Sequence, residues 1–573
     1  MTYEREGTWH DISSREMYTR VYHTAKQLQQ WGIAKGDRVA LIAENRYEWA
    51  ISDWACLLIG AVDVPIYPTL TADQAAFILK NSGARAVLVS TQKQLDKVLS
   101  IKSGTSLDHL VVMDEVNHPE AARMSTIMCP QETVERDAEF DNAARSIFPE
   151  DLATIIYTSG TTGVPKGVML THGNIASNLD QTGRTLGWHP GQVSLSFLPL
   201  SHVTARHVDY LCFSRGVTLA YCPSFDELAA KLQQVRPHIF VGVPRVYEKV
   251  RQEVERRASI GLKKKGYEWA LRTGQQHRDE ILRGEKPSDW LWELANKLVY
   301  QPIYQWFGGR AEMFVSGGAP LGIDLARWYA DMGIRIFEGY GLTETSPVIA
   351  VNDPEVNKLG TVGKPLPNVE CRIAEDGELL VRGPSIFKSY WHNPEETAKA
   401  FEGDWFKTGD IGNIDADGFL SITDRKKDLI KTSGGKFVAP QPIENKLKMS
   451  PLVAHPAVIG NQRKFISVVI CPNFVALEQW AQEQGIEFGS REQLVRNPKV
   501  LDAYQQIVNG VNQDLAHFET LKKVLVVPDD FTVAAGEVTP TLKLRRRAIE
   551  QKYKAKIDDM YAGPSLIPER TTV

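Results

Sequence analysis

Between Arg38 and Ser90 the chain alternates short β-rich runs with amphipathic stretches. They are Val39 to Ile42, a helix through Tyr47 to Gly60, Val62 to Ile66, a helix from Ala72 to Asn81, and Ala86 to Ser90. Strand, helix, strand repetition of this kind predicts a parallel sheet with crossover helices. Leu110 to Asp114 extends that sheet. The theme returns with an amphipathic helix over Phe225 to Arg236, followed by strands His238 to Val243, Glu312 to Val315 and Ile334 to Phe337. From Gly360 the texture becomes β: Glu370 to Ile373, the turn Asp376-Gly377, Glu378 to Arg382, and a second hairpin at Asp417-Gly418. After Asp424 a compact α+β segment runs to about Ile557, ending in a polar tail from Pro564 to Val573. The expected class is α/β: a large N-terminal domain (1–423) of parallel-sheet layers with a β-barrel-like subdomain over about 360–423, and a small α+β C-terminal domain (424–573).

With 573 residues the chain exceeds the size at which single cores split, and 43% hydrophobic content is ample for several cores. A formal net charge of -4 gives no footprint for nucleic acid as the main partner, so acidic ligands must be met by local basic sites. The six cysteines are scattered, form no CxxC pair and mostly sit in apolar surroundings, which fits free thiols in a reducing compartment. The N-terminus is polar, and no apolar run approaches the roughly 18 residues needed to span a bilayer. A cytoplasmic protein is expected. Between Arg245 and Gln301 a helical segment carries Lys263-Lys264-Lys265 near Trp290 and Trp292. A solvated face is the simpler account of it, with peripheral attraction to anionic lipid as the alternative.

The stretch richest in chemistry follows the apolar run Leu152 to Ile156. Tyr157-Thr158-Ser159-Gly160-Thr161-Thr162-Gly163-Val164-Pro165-Lys166-Gly167-Val168 packs hydroxyls, glycines and a lysine into one loop. Glycines let the backbone turn its N–H groups onto an anion, hydroxyls add donors or a metal contact, and Lys166 supplies charge. It is not the P-loop of nucleotide triphosphatases, which needs Ser or Thr directly after Gly-Lys. Two further turns follow strands: Ser316-Gly317-Gly318-Ala319-Pro320, and Glu338-Gly339-Tyr340-Gly341-Leu342-Thr343-Glu344. The second offers an aromatic face for a base and a hard carboxylate for a cation, so magnesium between Glu344 and Thr158 is positioned to bridge the phosphates of ATP. Thr408-Gly409-Asp410 offers a carboxylate to ribose hydroxyls.

Tyr157 to Val168, Gly339 to Pro347, Trp405 to Asp410, Asp424 to Lys431 and Pro540 to Lys543 occur in the order and rough spacing of one superfamily. It comprises the adenylate-forming acyl-CoA synthetases, luciferases and peptide-synthetase adenylation domains, which the chain resembles from about Arg38 to Tyr553. Within it, Leu198-Pro199-Leu200-Ser201-His202, Val243 to Lys249 and Thr539 to Leu544 look most like long-chain fatty acyl-CoA synthetases. The resemblance implies two half-reactions. A fatty acid carboxylate attacks the α-phosphate of ATP to give acyl-adenylate and pyrophosphate, and coenzyme A then displaces AMP.

The resemblance also implies roles. Ser159, Gly160, Thr161, Thr162, Gly163 and Lys166 grip phosphates, and Thr158 and Glu344 hold Mg2+. Gly317, Gly318, Ala319, Glu338, Gly339, Tyr340, Gly341 and Thr343 surround the adenine. Asp410 with Arg425 holds the ribose, Lys427 adds to the cofactor site, rotation brings the Lys431 to Gly435 loop towards the thiol tunnel, and Lys543 serves catalysis. His202 is placed either in the carboxylate pocket or as a satisfied core histidine. Asp424 falls at the hinge about which a mobile C-terminal domain rotates.

Two departures bear on this assignment. Leu542 stands where many members have Gly, a difference shared with the long-chain branch. Ala205 stands where long-chain enzymes usually have Glu before Arg206, which leaves acyl preference open. Activation of an aryl or medium-chain acid, loading of a carrier protein, and a non-catalytic nucleotide- or lipid-binding protein are the competing readings. Oligomerisation stays open.

Overall fold

A computed structural model describes residues 1–129, 134–158, 165–258, 261–533, 535–539 and 543–562. Its first sheet runs Ala122–Arg123, His109–Val112, Ala86–Val89, Arg38–Ile42, Val62–Ile66, Leu152–Thr158 and Lys166–Thr171, with every pair parallel except the last. The central strands are buried on both faces, which is why they read as continuous apolar runs without alternation. A second sheet of nine strands has a parallel centre of Ile336–Gly341, Met313–Ser316, Ile239–Gly242, Val193–Ser196 and Thr218–Tyr221. Helices lie between and around the sheets, and one large apolar core joins residues of both.

Two sequence expectations change. The β-rich stretch forms an open five-stranded antiparallel sheet of Glu370–Ile373, Glu378–Arg382, Trp405–Ile414, Phe401–Glu402 and Leu420–Arg425, and not a closed barrel. Hairpin turns and alternating residues specify antiparallel pairing, but closure needs a matched stagger around the whole ring, which local texture does not encode. The stretch from Tyr157 to Val168, read as a single loop, is partly a hairpin. Tyr157 pairs with Gly167 and Thr158 with Lys166, so strand extends to both edges of 159–164.

The helix Val203–Arg215 is wedged deep in the large domain. Arg206, 2% exposed, bonds Asp53 at 2.7 Å and Thr154 at 2.8 Å, and lies 2.8 Å from Asp63; Tyr210 bonds both Arg206 and Asp53. Burial pushes the Asp63 carboxyl well up, against the opposing pull of Arg206. This cluster ties the helix Tyr47–Leu58 to two strands of the first sheet, and removing one member of such a cluster costs about 3–5 kcal/mol.

The C-terminal part has its own core. Ile443, Leu447, Val468, Ile470, Leu477 and Tyr504 pack between the sheet of Val453–Ile459, Ile466–Pro472 and Leu521–Val526 and its helices. Lys263, Lys264 and Lys265 are exposed on the helix Gly261–Gln276. Among the described residues no helix is long and apolar enough to cross a membrane.

Candidate active site

The second parallel sheet meets the antiparallel sheet where Tyr340 bonds Asp410, and the strand Lys166–Thr171 of the first packs against the turn Thr343–Thr345. Thr158 closes the strand Leu152–Thr158, and Lys166 opens its partner directly opposite. Ser159, Gly160, Thr161, Thr162 and Gly163, expected to grip phosphate, lie outside the described residues. Lys166 pairs with Glu396 and sits 5.3 Å from the centre of the Tyr390 ring. The Tyr390 hydroxyl donates to Glu344 at 3.0 Å, while the Glu344 carbonyl accepts from the Phe387 N–H at 2.8 Å. Burial raises the pKa of the Glu344 carboxyl. The strand Lys166–Thr171 packs against the turn Thr343–Thr345, so Thr158, Lys166 and Glu344 belong to one neighbourhood.

The two glycine-rich turns lie side by side because Met313–Ser316 and Ile336–Gly341 are parallel neighbours, with Ser316 opposite Glu338. Gly318 has φ +81°, and a Cβ there would make only an ordinary contact with Val243 at 3.8 Å, so its backbone conformation is what calls for glycine. At Gly341 the reason is contact: a Cβ there would fall 1.8 Å from the Pro347 carbonyl oxygen. Gly317 donates to the Gly242 carbonyl at 3.2 Å, and Ala319, Gly339 and Thr343 line the same half-buried surface. Glu338 accepts from the Leu321 N–H at 3.0 Å, and burial pushes its carboxyl up to about 7.

Tyr340 donates to Asp410 at 2.6 Å, and the Arg425 Nε lies 3.2 Å from the other Asp410 oxygen. Asp410 and Arg425 are direct partners on adjacent strands, and the Thr408 hydroxyl accepts from the Asp410 N–H at 3.1 Å. Lys427 follows, its ammonium pKa lowered first by burial and then by Arg425. Lys431 is not brought to this group; it packs over the Phe437 ring, and its N–H donates to Asn461.

Lys543 comes from the C-terminal part, next to Leu544, which bridges to Val538, and its N–H donates to the Thr539 hydroxyl at 3.0 Å. Part of the residue remains open to solvent, yet burial of the ammonium, and then the Arg425 charge, pull its pKa down to about 8, with Asp410 opposing. His202 caps the helix Val203–Arg215, its Nδ1 accepting from the Thr204 N–H at 3.2 Å. Burial, and secondarily the charge of Lys543, hold His202 down at about 4, so the ring is neutral and its proton stands on Nε2 as a donor. Tyr390 and Glu396 had no motif to mark them. Their only sequence signal is an aromatic and an acid in the same β-rich stretch.

A lysine from the C-terminal part beside a carboxylate and an arginine is an arrangement suited to an enzyme that handles an anionic ligand between two domains. The chain belongs to the AMP-binding enzyme family, whose profile matches residues 2–391 and whose C-terminal domain profile matches residues 427–565. Long-chain-fatty-acid–CoA ligase FadD15 of Mycobacterium bovis is 37% identical over 97% of this chain and 93% of its own length. Long chain acyl-CoA synthetase 7, peroxisomal, of Arabidopsis thaliana is 33% identical over 93% of this chain and 79% of its own. The fold is shared with the anthranilate CoA ligase AuaEII bound to anthranoyl-AMP, at TM-score 0.73 and 21% identity, covering 97% of this chain and 94% of that one.

Proposed function

We propose that this chain is a long-chain fatty acid:CoA ligase that activates a fatty acid with ATP and transfers it to coenzyme A. The observation that supports the reading is that Lys543, from the C-terminal part, lies near enough to Arg425, Asp410 and the neutral His202 for their charges to act on one another. Attack of a carboxylate on a phosphate brings two anions together, and a cation between them lowers that repulsion. His202 donates through Nε2 to the carboxylate, Tyr340 and the Gly317–Gly318 turn receive the adenine, and Asp410 receives the ribose hydroxyls. Lys166, released from Glu396, and the loop after Thr158 take the β- and γ-phosphates.

Glu344 and Thr158 suit Mg2+. They offer one carboxylate and one hydroxyl, and no cluster of three or more acidic, His or Cys ligands occurs among the described residues. That ligand set fits an ion that takes most of its shell from phosphates and water. Held by Glu344 and Thr158, the ion would supply positive charge to offset that of the phosphates.

In the first step a carboxylate oxygen bonds to the α-phosphorus as the bond to pyrophosphate breaks. In the second, the thiol sulfur bonds to the acyl carbon, the carbon–oxygen bond to AMP breaks, and the thiol proton passes to solvent. Asp424, whose carboxylate accepts from the N–H groups of Arg425 at 2.7 Å and Gln441 at 3.0 Å, is read as the hinge between the steps.

The test is ATP–pyrophosphate exchange over carboxylic acids of increasing length, aryl acids and amino acids, each followed by capture with coenzyme A. Exchange and thioester are expected with long-chain acids. Exchange with aryl acids or amino acids alone contradicts the reading.

A further inference from the structure

The helical segment from Trp290 to Tyr304 is apolar on two sides. Trp292, Ala295, Tyr300 and Ile303 belong to the core, and the Tyr300 hydroxyl donates to the Ala270 carbonyl at 2.6 Å. On the outer side Trp290, Leu294 and Leu298 are 70%, 40% and 60% exposed, and Pro302 beyond them is exposed as well. A four-residue repeat drifts about 40° per step around an α-helix. Here the π turn Asn296–Tyr300, wider than an α turn, offsets that drift. It buries Ala295 and Tyr300 five residues apart and keeps the outer residues in one line, roughly 18 Å long.

Single exposed hydrophobics are ordinary in a folded protein, but a line of them on one helix face calls for a partner. The exposed apolar surface of this line is on the order of a few hundred Å², below the roughly 800 Å² per partner that a stable protein interface needs. A line so narrow suits a fluid apolar phase better than a second folded surface. Charge names the phase. Residues 251–310 carry twelve Lys and Arg against eight Asp and Glu, in a chain whose net charge is -4. Lys297 is exposed beside Leu294 and Leu298, and Lys263, Lys264 and Lys265 are exposed on the helix Gly261–Gln276, which packs alongside. The acid in the outer face, Glu293, is held by Lys286 at 3.0 Å. Tryptophan suits the boundary of water and hydrocarbon, and lysines beside apolar side chains draw such a helix to anionic headgroups.

We propose that the face centred on Trp290, Leu294 and Leu298 docks this protein onto the surface of an anionic lipid bilayer. The lysines meet the headgroups, and the apolar line enters the boundary beneath them.

Co-sedimentation of the full chain with vesicles of phosphatidylcholine alone, and of phosphatidylcholine with phosphatidylglycerol, tests this. Binding to the anionic vesicles is expected to be about 10-fold tighter or more, and to weaken as salt rises. Trp290→Ser and Leu298→Ser are each expected to weaken it by about 10-fold, so the test stays open if one variant does not fold. Lys297→Gln should weaken binding to the anionic vesicles alone. Absence of binding to both vesicles overturns the proposal, as does equal binding to the two, or binding that neither serine variant weakens. Self-association of the unaltered chain that both serine variants abolish would give the face to a second copy and overturn it too. The assay needs no turnover, so its outcome is independent of the ligase reading.

Discussion

Lys543→Ala is expected to cut acyl-adenylate formation by about 100- to 1,000-fold, the usual cost of removing one preorganised electrostatic contact in a site of this kind. Thioester formation from supplied acyl-adenylate should be largely kept, because in that step no second anion approaches the phosphate. The same lysine sets a pH signature. Its pKa is pulled down to about 8 by burial and Arg425, so the cation is intact below that value and lost above it. Adenylation should therefore fall as pH rises through about 8, while thioester formation should not show this limb. His202 adds no limb near neutrality, since it is already uncharged above about 4. Stopped assays of the two half-reactions with the variant, and pH profiles of each with the unaltered protein, check both statements. Equal loss of the two half-reactions would remove Lys543 from the chemistry of the first.

Glu344→Gln should be nearly as damaging, by a different route. The amide keeps the size of the side chain and an oxygen to accept from Tyr390, which now bonds Glu344 at 3.0 Å. What it loses is the charge that holds a hard cation, for which carboxylate oxygens are the preferred protein ligands. Adenylation is expected to drop by about 100-fold or more, with part of the loss recovered at high magnesium. A magnesium titration of exchange activity in the two proteins checks this. An unchanged magnesium requirement would mean that Glu344 holds no metal.

These expectations lean on residues that differ greatly in how visible they are in the sequence. The strands leading to the site were legible because they are buried on both faces and read as nearly continuous apolar runs, as in Val39–Ile42 and Ala86–Val89. Asp410, Arg425 and Lys543 carry little meaning one at a time; order and spacing across the chain made them candidates, and the fold gathers them in one cleft. Tyr390 and Glu396 stayed hidden because their partners, Glu344 and Lys166, lie 46 and 230 residues away, a distance no local pattern spans. The barrel expectation failed because hairpin texture specifies pairing between neighbours and is silent on closure.

The loop that crowds glycines, hydroxyls and Lys166 after Leu152–Thr158 fits this chemistry as the holder of a leaving group. Its lysine pairs with Glu396 and lies over the Tyr390 ring. The two-step route through acyl-adenylate is tested most directly by following an atom. A long-chain fatty acid labelled with heavy oxygen in its carboxyl group, incubated with the protein, ATP, magnesium and coenzyme A, should pass one labelled oxygen to AMP for each thioester formed. Label in pyrophosphate or inorganic phosphate, or thioester formed with unlabelled AMP, would contradict attack of the carboxylate on the α-phosphate.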